Sequence, residues 1–300
     1  MDKGIQRALG TYLKIANGKE KAKYLTADLK SKVKKAEEIV GSCTLCERKC
    51  KVNRKKGELG WCKVPYESHV SSAFTHMGEE KVLVPSGTIF FSGCNFKCVY
   101  CQNYNISQNP RLGDVWSPQK IADWIQKVPA ININFVGGEP TPHLHNILRA
   151  LEMSGRNIPI VWNSNMYLSK ESMKLLGGVV DVYLADFRYG NDECALKYST
   201  VQNYFEITTR NLLIAKKQAE IIVRLLVLPN HVECCTKKIV EWIAKNLGNE
   251  VRVNIMSQYY PQFKARDYPE INRQLTRNEY FEVIKYAENM GLWNFETQVI

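Results

Sequence analysis

Two rhythms of apolar positions divide the chain. From residue 86 onward, short apolar runs alternate with longer segments whose apolar residues recur at three- and four-residue steps. These are the patterns of strands and amphipathic helices. Strands are predicted at 87–93 (GTIFFSG), 131–138 (ININFVGG), 158–165 (IPIVWNSN), 179–187 (VVDVYLADF), 220–228 (EIIVRLLVL) and 251–256 (VRVNIM). The run 220–228 is continuously apolar apart from Glu220 and Arg224, as in a strand covered on both faces. Helices are predicted between them: 117–128, opened by Ser117 and Pro118, then 143–155, 169–178, 202–219, 232–248 and 276–291. Six consecutive strand–helix units argue for an α/β fold with a parallel sheet and right-handed crossovers. Periodicity alone leaves an open sheet and a partial barrel equally possible. In both, functional residues belong at the carboxyl ends of the strands.

Ahead of these units the pattern differs. Residues 1–40 read as helix, 43–62 as a compact cysteine-rich segment, and 66–85 as a connector. We divide the chain into a helical, Cys-rich basic module at 1–70 and a core at 71–300. Charge supports the division: residues 1–70 hold 17 Lys or Arg against 8 Asp or Glu, and residues 71–300 hold 24 against 22. The basic module fits an acidic partner or nucleic acid, or a solvated helix face. No aromatic-interleaved RNA motif accompanies the charge, which favours the solvated face. No apolar stretch approaches the roughly 20 residues of a spanning helix, and no secretory signal opens the sequence. A cytoplasmic protein without a membrane association is expected.

Ten cysteines in 300 residues, seven of them between Cys43 and Cys101, point to metal chemistry rather than disulfides. Cys94, Cys98 and Cys101 form a C-x3-C-x2-C triplet directly after the first predicted strand of the repeat. Three thiolates can hold an iron–sulfur cube with one iron left open, or a zinc ion that borrows a distant fourth ligand. Gly137-Gly138-Glu139-Pro140 ends the second strand. Its glycines admit a close backbone approach and its carboxylate can accept from an ammonium group; a plain strand-to-helix turn has the same sequence. Cys43, Cys46, Cys50 and Cys62 lie among Arg48, Lys49, Lys51 and Arg54. Four thiols suit a tetrahedral zinc or a second [4Fe-4S] cluster, and the two readings stay open. Cys234 and Cys235 fall inside a predicted helix, where neighbours point apart, and Cys194 stands alone, so packing is the expected role of all three. His143 and His145 are expected to cap a helix or face solvent. The aromatic segment 257–269 is expected either to cover a substrate or to pack as an ordinary loop.

Together the triplet and the Gly-Gly-Glu-Pro motif resemble the radical S-adenosylmethionine superfamily, whose core is a (β/α)6 partial TIM barrel. More narrowly, TIFFSGCNFKCVYCQNYNISQ and the upstream CTLCERKCKVNRKKGELGWCKV resemble PflX-like proteins, relatives of pyruvate formate-lyase activating enzymes. The resemblance covers about residues 40–300. It implies a [4Fe-4S] cluster on Cys94, Cys98 and Cys101, whose open iron chelates S-adenosylmethionine. Tyr100 would lie against the adenine, and Gly137, Gly138 and Glu139 would hold the methionine ammonium. Asn163 and Asn165 occupy the strand end that carries an L-D-T-N-G-like motif in activases, with Asn163 in place of the acid and Met166 in place of glycine. Arg188 replaces a lysine that helps to neutralise the cofactor carboxylate, and Arg224 matches an arginine of the fifth strand. No side chain is assigned as a catalytic residue.

The implied activity is reductive cleavage of S-adenosylmethionine to a 5′-deoxyadenosyl radical that abstracts hydrogen from a substrate. That substrate is a glycyl radical enzyme by analogy with the activases, or else a peptide, a small molecule or RNA. Flavodoxin or ferredoxin is the implied electron donor. Two readings of other classes stand beside it: a zinc-binding basic nucleic-acid-binding protein and a non-catalytic iron–sulfur carrier.

Overall fold

The computed structural model describes residues 3–298. Three helices open the chain: α1 (Lys3–Ala8), α2 (Gly10–Ala16) and α3 (Leu29–Val40). Then follow β1 (Ser68–His76), β2 (Ser86–Phe91), α4 (Tyr104–Ser107), β3 (Asp114–Trp116), α5 (Pro118–Lys127), β4 (Asn132–Gly137), α6 (Leu144–Met153), β5 (Ile160–Ser164) and α7 (Lys170–Leu176). The remainder comprises β6 (Val182–Asp186), α8 (Asp192–Ser199), α9 (Tyr204–Gln218), β7 (Glu220–Leu226), α10 (Lys237–Asn246), β8 (Arg252–Met256), α11 (Arg277–Asn289) and β9 (Phe295–Thr297).

All strands join one sheet in the order β3-β1-β2-β4-β5-β6-β7-β8-β9. Pairing is parallel from β2 through β9 and antiparallel where β1 meets β2 and β3. The six expected strands are β2, β4, β5, β6, β7 and β8, each within a few residues of its predicted bounds. The fold is the α/β, mostly parallel architecture anticipated for a (β/α)6 partial barrel. It does not close, because β3 and β9 are its edges. It does curl. Glu79 accepts from Asn134 Nδ2 on β4 at 2.9 Å and lies 3.9 Å from Arg224 on β7. Those strands would stand about 14 Å apart in a flat sheet.

Alternation along each strand separates two faces. Ile133, Phe135, Ile160, Trp162, Tyr183, Ala185, Val223 and Ile255 pack outward into one core with the helices. Ile121 and Ile125 of α5 and Ile147 and Leu151 of α6 bury their apolar stripes in that core. Side-chain caps set the helix starts. Ser117 accepts from Lys120 N, Ser169 from Ser172 N, and Thr276 and Glu279 form a capping box.

The concave face is different. Its amino-terminal half is apolar, formed by Val161, Val182, Leu184 and Ile222, and it is filled by Ala8, Leu9 and Tyr12 of the first helices with Leu83. Glu220 at the start of β7 fixes this plug, accepting from Thr11 N and Tyr12 N at 2.7 Å each. A carboxylate there satisfies two free amides at the amino terminus of α2 and complements its dipole. The carboxyl-terminal half of the concave face stays open above the plug.

Residues 1–40 are not one helix. Asn17 and Gly18, with φ +70° at the glycine, end α2, and α3 restarts behind Asp28, whose side chain accepts from Ser31 N. The connector 66–85 contains β1, a Ser- and His-containing strand whose polar composition hides its period. No helix among the described residues is long and apolar enough to cross a membrane.

Leu9 is fully buried in the plug. Leu9→Ala should destabilise the protein by about 2–5 kcal/mol in chemical denaturation, through lost burial and a cavity that the sheet cannot fill. Unchanged stability would show that the plug is not part of the folded core.

Candidate functional site

The loop after β2 turns at Gly93, where φ is +90° and a Cβ would meet Val64 at 2.4 Å. Cys94, Cys98 and Cys101 follow, and all three line one cavity of about 370 Å³ at the carboxyl end of the strands. Such a volume accommodates a nucleoside-sized ligand. Each sulfur meets donors. Cys94 Sγ accepts from Phe96 N at 3.3 Å and faces Asn165 Nδ2 at 3.8 Å. Cys98 Sγ accepts from Ser199 Oγ at 2.9 Å and Arg188 Nη1 at 3.3 Å. Cys101 Sγ pairs with Ser107 Oγ at 3.3 Å. Burial, reinforced by the Glu139 charge, pushes the Cys94 thiol well up. Binding as thiolate therefore requires a positive centre that displaces the proton.

The three sulfurs do not all lie within 4.8 Å of one another; among the described residues only Cys194, Cys234 and Cys235 do so. Zinc–sulfur bonds of about 2.3 Å bring ligand sulfurs within roughly 4 Å. The triplet is too wide for that ion and suits the broader face of a polynuclear cluster.

Gly137, Gly138, Glu139, Asn163, Asn165, Arg188 and Arg224 line the same cavity. The two glycines have a packing reason. A Cβ on Gly137 would stand 2.1 Å from Phe91 O, and one on Gly138 2.1 Å from Gly93 O. The close approach expected toward a ligand is made to the neighbouring strand end. Glu139 is buried, and its Oε1 accepts from Thr141 N, Thr141 Oγ1 and Ser164 Oγ. Its Oε2 accepts from Asn165 N at 2.9 Å, which leaves one lone pair of that oxygen for a further donor. Tyr100 lies outside this cavity. Its hydroxyl pairs with Tyr189 OH at 2.6 Å, and it lines an adjoining pocket with Cys101, Arg188 and Arg224.

Asp186, which precedes Arg188 by two residues and has no role of its own assigned from sequence, organises the cavity wall. It accepts from Arg224 Nε at 2.8 Å and from Arg188 Nη2 at 2.6 Å. Burial alone would raise its carboxyl, but the guanidiniums of Arg224 and Arg188 outweigh burial and hold it below the usual range. Arg224 also reaches Asn163 Oδ1. The two arginines are thus preset, one against a sulfur and one across β5 to β7. Glu79 shares this wall, and burial raises its carboxyl to about 7, with Arg224 opposing and Glu80 and Asp186 adding to the rise.

Cys43, Cys46, Cys50 and Cys62 surround a second, much tighter space of about 20 Å³ with Arg48, Arg54 and Trp61. Cys43 N donates to Val52 O and Lys51 N to Cys43 O, folding the segment back on itself. Cys50 Sγ accepts from Trp61 N at 3.3 Å, and Gly60 permits that approach. Burial pushes the Cys46 and Cys62 thiols up. The two sulfur sites are neighbours. Arg48 stacks on Trp61 at 4.3 Å and donates from Nε to Asn95 O at 3.1 Å, and Asn95 adjoins Cys94 in the chain.

Two expectations are corrected, and for the segment 257–269 one of its two open readings is seen. His143 and His145 are fully buried rather than capping or exposed. His143 bridges Ser68 Oγ and Ser92 O, and burial lowers its imidazole to about 3, while His145 reaches Tyr66 O. The segment 257–269 packs on the cysteine loop through Lys264 N to Val99 O and Phe263 stacked on Tyr104. Cys234 and Cys235 do not diverge, because residues 232–236 form a π-turn that brings their sulfurs to 3.9 Å.

A curled parallel sheet with three thiols, two arginines and a cavity at its carboxyl rim defines a cofactor-binding α/β enzyme class. The comparisons specify it further: residues 88–243 match the family model of the Radical SAM superfamily, and the chain belongs to that superfamily. An uncharacterised protein of Methanocaldococcus jannaschii, MJ0674, is 51% identical over 87% of this chain and 78% of its own length. The structure of Streptococcus suis SuiB bound to S-adenosylmethionine is 12% identical, with a TM-score of 0.51 over 69% of this chain and 48% of SuiB. SuiB bound to its precursor peptide SuiA gives 13% and 0.50 over 69% and 46%. The chain thus spans just under half the length of SuiB, and that likeness is one of fold. Membership implies a [4Fe-4S] cluster, S-adenosylmethionine and radical chemistry.

A carboxyl raised by folding contributes stability below its unfolded value of 4.5, and that contribution is lost as pH climbs through about 7. Glu79→Gln keeps the acceptor for Asn134 and removes the charge. It should match the wild type below pH 4.5 and be more stable by on the order of 3 kcal/mol at about pH 8, measured as unfolding free energy against pH. A difference that does not grow with pH would contradict the buried, charge-crowded environment of Glu79.

Proposed function

We propose that the protein binds a [4Fe-4S] cluster through Cys94, Cys98 and Cys101 and acts on a protein or peptide segment as a hydrogen-abstracting enzyme, activase-like in that sense. The observation that carries this reading is the triplet itself: three widely spaced sulfurs beside a nucleoside-sized cavity. Bound together there, the cluster and S-adenosylmethionine supply one-electron scission of a sulfonium carbon–sulfur bond and the radical that follows. The chain's own residues bind and orient. Arg188 holds positive charge against Cys98 and into the cavity, where a carboxylate can be met. Glu139 offers its remaining lone pair to an ammonium, Asn163 presents its unpartnered Nδ2 to a hydroxyl, and Asn165 acts by holding Asn95 and facing Cys94. Tyr100 and the segment 257–269 close one side against water.

A macromolecular substrate is supported by the rim. Phe74 stacks on Phe90, which lines the cavity, and Phe74 and the nearby Met77 are 44% and 66% exposed. These exposed apolar side chains beside the cavity offer a contact that a protein or peptide segment can cover. A glycyl radical enzyme is one partner of that kind, and a modified peptide is the second reading.

For Cys43, Cys46, Cys50 and Cys62 we favour a second [4Fe-4S] cluster over zinc. No three of these sulfurs lie within 4.8 Å of one another, whereas a single tetrahedral ion needs sulfurs roughly 4 Å apart. Its position one residue from Cys94, by way of Arg48 and Asn95, suits relay of an electron from a flavodoxin- or ferredoxin-like donor.

Two tests follow. Anaerobic protein reconstituted with iron and sulfide, then reduced, should release 5′-deoxyadenosine from S-adenosylmethionine, and Cys98→Ala should abolish this. Cleavage that persists in Cys98→Ala would overturn the ligand assignment. In the Cys43→Ser, Cys46→Ser double variant, metal analysis should read a loss of iron with zinc unchanged. Loss of zinc instead would return the four-cysteine site to a structural ion.

A further inference from the structure

Outside both cysteine sites, one cluster of thiols has no part in the function above. Cys194 sits in the first turn of α8, and Cys234 and Cys235 sit in the π-turn at 232–236. All three sulfurs lie within 4.8 Å of one another, although the chain separates them by some forty residues. Neighbours in an α-helix would be turned about 100° apart. The wider π-turn brings Cys234 Sγ and Cys235 Sγ to 3.9 Å, and π-turns of one turn's length recur at functional sites.

The two halves are built to meet. Asn191 caps α8 by accepting from Cys194 N at 2.8 Å, and its Nδ2 donates to Cys234 O at 2.8 Å and toward Cys235 Sγ at 3.4 Å. Gly190 lets the segments touch: a Cβ there would stand 2.4 Å from Cys235 O. Just before the π-turn, His231 is buried and its Nδ1 lies 2.7 Å from Pro229 O, fixing the ring beside the sulfurs. Cys235 is buried, whereas Cys194 and Cys234 are half-buried, so solvent reaches the cluster from one side.

We propose that Cys194, Cys234 and Cys235 form a third metal site, binding a single thiophilic d10 cation, zinc(II) or copper(I), through three thiolates. Thiolates select these ions over oxygen-loving ones. Metal–sulfur bonds of about 2.3 Å need sulfurs roughly 4 Å apart, which the cluster reaches with little movement and the other two cysteine sites do not. The site is a clamp. It ties the first turn of α8 to the π-turn, and α8 ends at Ser199, whose hydroxyl donates to Cys98 Sγ at 2.9 Å. An ion there would fix the helix that supports a thiol of the catalytic loop, about 7 Å away along α8.

The test uses the full chain with its iron–sulfur sites loaded, prepared without oxygen, and does not depend on turnover. Zinc(II) and copper(I) are each titrated in competition with a chromophoric chelator. Wild type should take up a single equivalent of one or both, and the arm that binds identifies the ion. The Cys234→Ser, Cys235→Ser variant should lose that equivalent and keep its iron. Cys194→Ser, which leaves the π-turn untouched, should lose it as well. Bound ion should also slow alkylation of Cys194 and Cys234 in the native protein. Uptake that is equal in wild type and variants would overturn the proposal. So would the absence of uptake, or a disulfide among the three cysteines in the oxygen-free protein.

Discussion

Thiolates gathered at one cavity repel each other, and burial deepens the cost of each charge. The carboxyl rim of the sheet is arranged around that constraint. Arg188 and Ser199 donate to Cys98, Phe96 N and Asn165 face Cys94, and Ser107 meets Cys101. Arg188 is held in turn by Asp186, Asp186 by Arg224, and Arg224 by Asn163. Side chains from β5, β6 and β7 therefore converge on the sulfur loop after β2. They can do so only because the parallel register brings all the carboxyl ends to one rim and the sheet curls. Outer donors of this kind orient the ligands and tune a metal centre.

Below the rim the concave face must be filled, and the filling comes from the amino terminus. Leu9 and Tyr12 press on Val161, Val182, Leu184 and Ile222, so residues 3–16 belong physically to the sheet. A few of the basic side chains of residues 3–70 are drawn into the same architecture. Lys32 Nζ donates to the carbonyls of Lys174, Leu175 and Gly177 at the end of α7, and Lys23 Nζ donates to Gln218 O at the end of α9. Cations at helix carboxyl termini satisfy free carbonyls and oppose the dipole. Arg54 is buried and donates to Pro142 O, and Lys55 pairs with Glu37. Lys23, Lys32 and Arg54 are thus engaged within the fold, while most of the other basic side chains of residues 3–70 face solvent.

Much of this was legible in the sequence, for physical reasons. β5, β6 and β7 are continuous apolar runs because helices cover one face and the plug covers the other, and such runs announce themselves. β1 was hidden because its serines and histidine interrupt the alternation, and β3 and β9 because three-residue edge strands carry no period. The cysteine triplet and Gly137–Glu139 were legible because fixed spacing survives without tertiary context. Asp186 was not, since an acid closing a strand looks like any other until Arg188 and Arg224 are seen on either side of it. The convergence of Cys194 with Cys234 and Cys235 was invisible for a related reason. A π-turn has the composition of an α-helix, and only its geometry brings adjacent sulfurs together.

The most direct test of the central claim is a paramagnetic resonance spectrum of the Cys43→Ser, Cys46→Ser variant, reconstituted and reduced so that only the triplet carries a cluster. It is recorded before and after addition of S-adenosylmethionine. A spectrum whose g values shift on addition is expected of a cluster with an iron open to that ligand. Identical spectra, or a variant that holds no iron at all, would contradict a three-thiolate centre at Cys94, Cys98 and Cys101.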